Sequence, residues 1–352
     1  MNKLSKIGCS ALCGSLAAIS AAHAGDLTVT GGADMTWVSK NGATTGNPLG
    51  IGSNFSMKAS GELDNGWAHD LTIAFTNAGA YSSAVVNLDM GGLGKLNFNQ
   101  GDSGNGISAF DDKMPTAWEE AWGAGLSTGV RLALGSGASQ NIQYTTPTVL
   151  GTTLTFTMAP DYGTSDTADK TSANSADIYK NSYDGTININ PSLGTEILSG
   201  LNIFAGAATI EVQKAASRDD LYEGVAGVTY DIGPLSLGYQ VSGDYTGVDD
   251  EDPDANQSAT NFYKNFAFGV AFNVNDDLSI SYGGWEAKKA GHTDSGFNPV
   301  SEDKRTIKVR SLQAAYTMGG ASFRLADVKV DNALWSPTAD QNATIVSMSL
   351  AF

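Results

Sequence analysis

The chain has 352 residues, with 20 Lys+Arg against 37 Asp+Glu and a formal charge of −17. A nucleic-acid binder usually carries the opposite sign, and three His and two Cys leave little material for metal or thiol catalysis. Hydrophobic residues make up 41%, too many for a disordered chain.

In chain order, the first element is a segment expected to be removed. Lys3 and Lys6 precede an apolar stretch from Ile7 to Ala22, which closes on the small-x-small pattern Ala22-His23-Ala24. This is the layout of a secretory signal peptide over residues 1–24. Cys9 and Cys13 both lie inside it, so the mature chain, 25–352, has no cysteine. Disulfides, thiolate metal sites and a Cys nucleophile are thereby excluded. The mature chain holds 18 basic and 37 acidic residues, a net −19. No later stretch reaches the ~18 consecutive apolar residues of a membrane helix, which says nothing against a barrel.

From there on the pattern has period two, the mark of strands whose side chains point alternately to opposite faces. Leu27, Val29, Gly31, Ala33, Met35 and Trp37 alternate with Thr28, Thr30, Asp34 and Thr36. Phe55, Met57, Ala59, Gly61 and Leu63 alternate with Asn54, Ser56, Lys58, Ser60 and Glu62, and Asp64-Asn65-Gly66 is a tight-turn signal. Trp67, Leu71, Ile73 and Phe75 continue the pattern. The same grammar predicts strands near 82–90, 95–100, 140–147, 151–159, 182–190, 200–212, 221–231, 235–245, 261–273, 278–287, 305–318, 321–330 and 341–352, sixteen in all with the first three. The phase slips near Ser311, which predicts a bulge in 305–318.

Most connections alternate between short turns, as at 64–66, 91–94, 148–150, 232–234, 274–277 and 319–320, and longer polar segments. Long loops at one end and short turns at the other are the pattern of an outer-membrane barrel. An even strand number puts both termini at the short-turn, periplasmic end. A soluble β-sandwich or β-solenoid shows the same alternation with its apolar face inward, and period two alone leaves that alternative open.

The longest connection, 101–139, carries Asp102, Asp111, Asp112, Glu119 and Glu120, with Lys113 and Arg131 as its basic residues. Ile107, Phe110, Met114, Trp118, Trp122 and Leu126 are interleaved as apolar anchors. The last strand places Val346, Met348, Leu350 and Phe352 on one face. The acidic run Asp249-Asp250-Glu251-Asp252 with Asp254 offers calcium its oxygens but lacks the Gly and distal Glu of a calcium loop, so a solvated charge run is the plainer reading. No other cofactor is expected. On an outer surface the same acids would share divalent ions with lipopolysaccharide. Gly101-Asp102-Ser103-Gly104 with His69 upstream has the letters of a serine-protease nucleophile, but the separation is far too short for a trypsin-like fold.

Four stretches and one terminal residue carry a resemblance to the general porins of Gram-negative outer membranes. They are Asp26-Leu27-Thr28-Val29-Thr30-Gly31, the run from Gly94 through Lys95-Leu96-Asn97-Phe98 to Asp102, Asn141-Ile142-Gln143-Tyr144-Thr145-Thr146-Pro147, and Asp277-Leu278-Ser279-Ile280-Ser281-Tyr282-Gly283. The terminal Phe352 resembles the signal read by the barrel assembly machinery. The resemblance implies an all-β fold: a sixteen-stranded transmembrane antiparallel barrel, assembled as a homotrimer, with the third loop folded into the lumen. It implies a water-filled channel for passive diffusion of small polar solutes and ions, and no enzymatic activity. On this reading Asp102, Asp111, Asp112, Glu119 and Glu120 line a constriction and favour cations, because a narrow pore screens fixed charge poorly. Lys58, Lys308, Arg310 and Arg324 are the candidates for the facing basic wall; the suspected bulge bears directly on Lys308 and Arg310. The alternatives are an adhesin or envelope-tethering barrel without transport, and an outer-membrane enzyme.

Overall fold

The computed structural model describes residues 26–41, 46–77, 79–102, 104–163, 178–191, 198–213, 219–247, 260–291 and 306–351. Residues 1–25, with the expected signal peptide, Ser103, the acidic run 249–254 and Phe352 lie outside the described residues. The first eight strands are β1 (Leu27–Asn41), β2 (Leu49–Glu62), β3 (Ala68–Thr76), β4 (Ala80–Asp89), β5 (Lys95–Gln100), β6 (Asn141–Thr145), β7 (Thr152–Ala159) and β8 (Tyr179–Ile189). The second eight are β9 (Leu201–Val212), β10 (Leu221–Ile232), β11 (Leu235–Tyr245), β12 (Thr260–Asn273), β13 (Leu278–Gly291), β14 (Thr306–Met318), β15 (Ala321–Asp331) and β16 (Gln341–Ala351).

Each strand pairs antiparallel with its sequence neighbours, and β1 closes onto β16 from Gly32↔Ala351 to Asn41↔Asn342. The result is a closed barrel with no free sheet edge. Gly66 at φ 82° makes the tight turn that the Asp64-Asn65-Gly66 signal predicts. The outward positions form an apolar belt: Ile51, Phe98, Phe156, Ile280, Leu312 and Phe323 are all exposed. A sheet that exposes such a belt and pairs every ladder internally satisfies the demands of a hydrocarbon solvent.

The segment between β5 and β6 runs inside the barrel. Ile107, Phe110, Met114 and Leu126 are buried against wall residues such as Phe204, Trp285, Val309 and Val328. The molecule's core is therefore the contact between this loop and the inner wall.

That core corrects one expectation. There is no bulge in β14: its ladders with β13 and β15 run without a register shift. What changes is the apolar face. Ile307 and Val309 point inward, buried under the loop, whereas Leu312, Tyr316 and Met318 point outward. β13, β15 and β16 switch in the same way: Trp285 and Ala287 face in while Ile280 and Tyr282 face out, Val328 and Val330 face in while Phe323 and Leu325 face out, and Ile345 faces in while Val346 and Leu350 face out. A loop packed into one half of the lumen makes that half of the inner wall dry. The sequence must then be apolar on the opposite parity there.

Candidate functional site

The loop from 101 to 139 is anchored at three places on the inner wall. Near its start and end, Asp184 of β8 accepts hydrogen bonds from the Ile107 N–H (2.9 Å), the Ser136 N–H (2.9 Å) and the Ser136 hydroxyl (2.6 Å). Beside it, Glu223 of β10 accepts from the Gly135 N–H at 2.8 Å, and Arg131 donates from Nε to Asp244 of β11 at 2.6 Å. At the far wall, Ser281 of β13 accepts from the Ala117 N–H at 2.8 Å. Gln313 of β14 there accepts from the Glu119 N–H at 2.9 Å and donates to the Glu119 carbonyl at 2.7 Å. The loop thus crosses the lumen from the β8 side to the β14 side.

Glycine makes room for the crossing. Gly238, Gly269 and Gly283 lie in one cross-strand row. A Cβ on Gly238 would stand 2.4 Å from Pro115 Cδ, and one on Gly269 would stand 2.5 Å from the Pro115 carbonyl oxygen. Any side chain at either position would push the loop off the wall.

The loop's acids form one cluster with graded exposure. Asp112 and Glu119 are exposed to the lumen, Asp111 is half-buried and Glu120 is buried. Burial, with Asp112 next to it, pushes the Asp111 carboxyl up to about 6. Partial desolvation by the surrounding loop also raises Asp112. Glu119 is raised by burial and by Asp112, against the pull of Arg324. Glu120 is pushed up to about 8, by burial first and then by its acidic neighbours, despite accepting the Met114 N–H at 2.7 Å. At neutral pH Glu120 is therefore protonated and props the loop. Asp102 stands apart at the loop's entry, exposed, with its N–H donated to Asn99 Oδ1 at 3.0 Å.

Of the four basic wall candidates, two face the lumen. Arg324 of β15 points inward, reaches Asp34 of β1 at 3.2 Å, and lies 5.6 Å from the ring centroid of Trp118 in the loop. Lys58 of β2 points inward beside Asp70 of β3 at 3.4 Å. Lys308 and Arg310 are a correction: both are exposed on the outer surface of β14, because the inward parity in this half of the strand belongs to Ile307 and Val309. Of the protease-like letters, Ser103 lies outside the described residues, and His69 and Asp102 sit at opposite ends of their strands. His69 opens β3 at the short-turn end and pairs across to Gly61, while Asp102 follows the long-loop end of β5.

No family model matches the chain, and no curated protein matches it. Solved structures do. OmpF of Salmonella typhi, in complex with daunomycin, superposes with a TM-score of 0.68 at 13% identity, over 94% of this chain and 98% of that one. An anion-selective porin from Comamonas acidovorans gives 0.62 at 15% identity, over 93% of this chain and 100% of that one. The outer-membrane channel DcaP of Acinetobacter baumannii gives 0.63 at 10% identity, over 93% and 97%.

The chain has a porin fold.

Within that fold, sequence reasoning missed the wall side of the loop's anchors: Asp184, Glu223, Asp244, Ser281 and Gln313. Their signal was available. Each is a polar residue on the inward parity of its strand, and burial of the three acids requires donors. The donors come from the loop: the Ile107, Gly135 and Ser136 N–H groups, the Ser136 hydroxyl and the Arg131 guanidinium.

Proposed function

We propose that this chain is an outer-membrane porin, a water-filled channel for passive diffusion of small hydrophilic solutes and ions. The observation that carries the reading is the long third loop, which crosses the inside of a closed barrel instead of projecting from its end. An adhesin would spend such length outside the barrel. A loop held on the inner wall by Asp184, Glu223, Asp244, Ser281 and Gln313 narrows a passage and fixes the groups that line it.

In this reading the chain is exported on the segment 1–24 and inserted into the outer membrane with Phe352 as an assembly signal. It works as a homotrimer, as its resemblance to the general porins implies. Asp112 and Glu119 carry the negative charge of the constriction, Asp111 adds to it above pH 6, and Lys58 and Arg324 set a transverse field from the facing wall. This distribution supports cation preference: Asp112 and Glu119 are exposed on the loop, while the inward Lys58 and Arg324 are paired with Asp70 and Asp34. The chain is not an enzyme in this reading.

Planar-bilayer recording tests it. Purified mature protein should insert in discrete ohmic steps, and a KCl gradient should give a reversal potential of the cation-preferring sign. Absence of steps from correctly folded protein overturns the channel. A reversal potential of the opposite sign overturns the selectivity and leaves the channel standing.

A further inference from the structure

The face switch that turns Lys308 and Arg310 outward places them in company. Lys264 of β12 opposes Lys288 of β13, and Arg310 of β14 opposes Lys329 of β15. With Lys308 these are five exposed, outward-facing bases, all in the long-loop half of four consecutive strands. The outward acids of the same region are Glu286, Asp327 and Asp331. Glu286 is engaged by Lys288 at 3.0 Å, and Asp327 accepts from the Thr344 hydroxyl at 3.4 Å. Among the described residues Lys308, Arg310 and Lys329 make no ion pair. A local excess of base stands out in a chain of net charge −17.

The belt has an apolar floor. A groove of about 390 Å³ between β12 and β14 is lined by Phe266, Phe268, Lys308 and Arg310. The ammonium groups of Lys264 and Lys288 lie 4.9 and 5.8 Å from the Phe266 ring centroid. Toward the short-turn end the same outer face becomes apolar, with Val270, Tyr282 and Leu312 exposed. Charge on a barrel's outer face is costly at the bilayer midplane and close to neutral at the interface. Five bases within a few residues of ladder register on four consecutive strands, beside an apolar surface, therefore mark the headgroup level.

We propose that this belt binds the phosphorylated headgroup of an outer-leaflet lipid, with the phosphates on Lys308, Arg310 and Lys329 and the acyl chains along Val270, Tyr282 and Leu312. The proposal rests on the outer-membrane reading above. The apolar continuation favours an amphiphile over a free anion, and the cationic rim favours an anionic headgroup over a neutral one.

Native mass spectrometry of delipidated full-length mature protein tests it, with a bisphosphorylated lipid A as the probe. Wild-type protein should retain the lipid, and retention should fall when the same lipid is dephosphorylated. The triple variant Lys308→Gln, Arg310→Gln, Lys329→Gln should weaken binding on the order of a hundredfold, with conductance and heat-modifiability unchanged. Equal retention of the dephosphorylated lipid overturns the proposal, as does full displacement by millimolar inorganic phosphate, which would mark a free-anion site. Should the triple variant fail to fold, Lys308→Arg with Lys329→Arg must keep the binding, and its loss would overturn the proposal. Conductance bears on the channel reading alone: protein that conducts normally but ignores the phosphates sinks this inference and spares the porin.

Discussion

The two halves of the wall formed by β13–β16 obey the same alternation in opposite senses. Toward the short turns, Ile280, Leu312, Phe323 and Leu350 point outward, and the inward row includes Ser281, Gln313, Arg324 and Ser347. Toward the long loops, Trp285, Val309, Val328 and Ile345 point inward and are buried, while Glu286, Arg310, Lys329 and Thr344 point outward. The backbone is continuous across the change. What differs is the contact on each side: a polar inner wall, in part hydrogen-bonded to the loop, and an apolar belt outside in the first half, the loop's apolar anchors inside and a polar outer face in the second. A strand's pattern thus reports which of its faces is dry, and that is decided by a segment that can be far away in sequence.

The sharpest way to break the contrast is to exchange parity in the second half. Val328→Asp puts a carboxylate into a fully buried site under the loop, at a cost of about 3 kcal/mol or more. Asp327→Val, one residue earlier on the exposed face, should cost little. The heat-modifiable fraction and the thermal midpoint of the two variants should separate widely; equal loss would show that the loop does not dry this wall.

Gly269→Val should act next most strongly. Its side chain collides with the Pro115 backbone, so the loop leaves its recess while the barrel stays closed. The measured result should be a larger single-channel conductance from protein that is still heat-modifiable.

The acids give a smaller, pH-dependent effect. Asp112→Asn with Glu119→Gln should shift the KCl reversal potential toward anions, most at low salt, while Glu120→Gln should barely move it at pH 7 because that carboxyl is already neutral. In the wild type, cation preference should fall as the pH drops through about 6, where Asp111 takes up its proton. Stability runs in the opposite direction. Glu120 is raised in the folded state to about 8, so its proton is held in the barrel and lost on unfolding between the ordinary Glu range and pH 8. Stability should therefore decline as pH rises through that window. Glu120→Gln should flatten the decline and raise the thermal midpoint at pH 8. The smallest expected change is Lys58→Gln. The half-exposed pair with Asp70 at 3.4 Å contributes about 0–1 kcal/mol, and only a slight shift in permeability ratio should follow.

Much of this was legible in the residues. Period two and the turn signals were enough for sixteen strands, and the anchors Ile107, Phe110 and Met114 announced a loop that packs against something. The misplacement of Lys308 and Arg310 has a definite cause. Alternation assigns residues to two faces but does not say which face is wet, and the phase slip near Ser311 has the same appearance as a bulge. Glu120 was counted with its neighbours as a pore charge because sequence shows a carboxylate and not its burial. The Asp184, Glu223 and Asp244 anchors were passed over because polar inward residues are the expected lining of a wet lumen, and only the folded loop distinguishes an acid that binds backbone from one that faces water.

The β1–β16 ladder has a kinetic consequence. It joins Gly32 to Ala351, roughly three hundred residues apart, whereas every other ladder joins neighbours in the chain. Hairpins close quickly, but a contact of that separation must wait for all fourteen intervening strands. Until it forms, β1 and β16 are two unpaired edges able to capture strands from another chain. The most hazardous species on the assembly path is then the almost finished barrel. Substitutions along β1 or β16 that slow this last pairing should show as aggregation during assembly, even where the closed barrel is as stable as before.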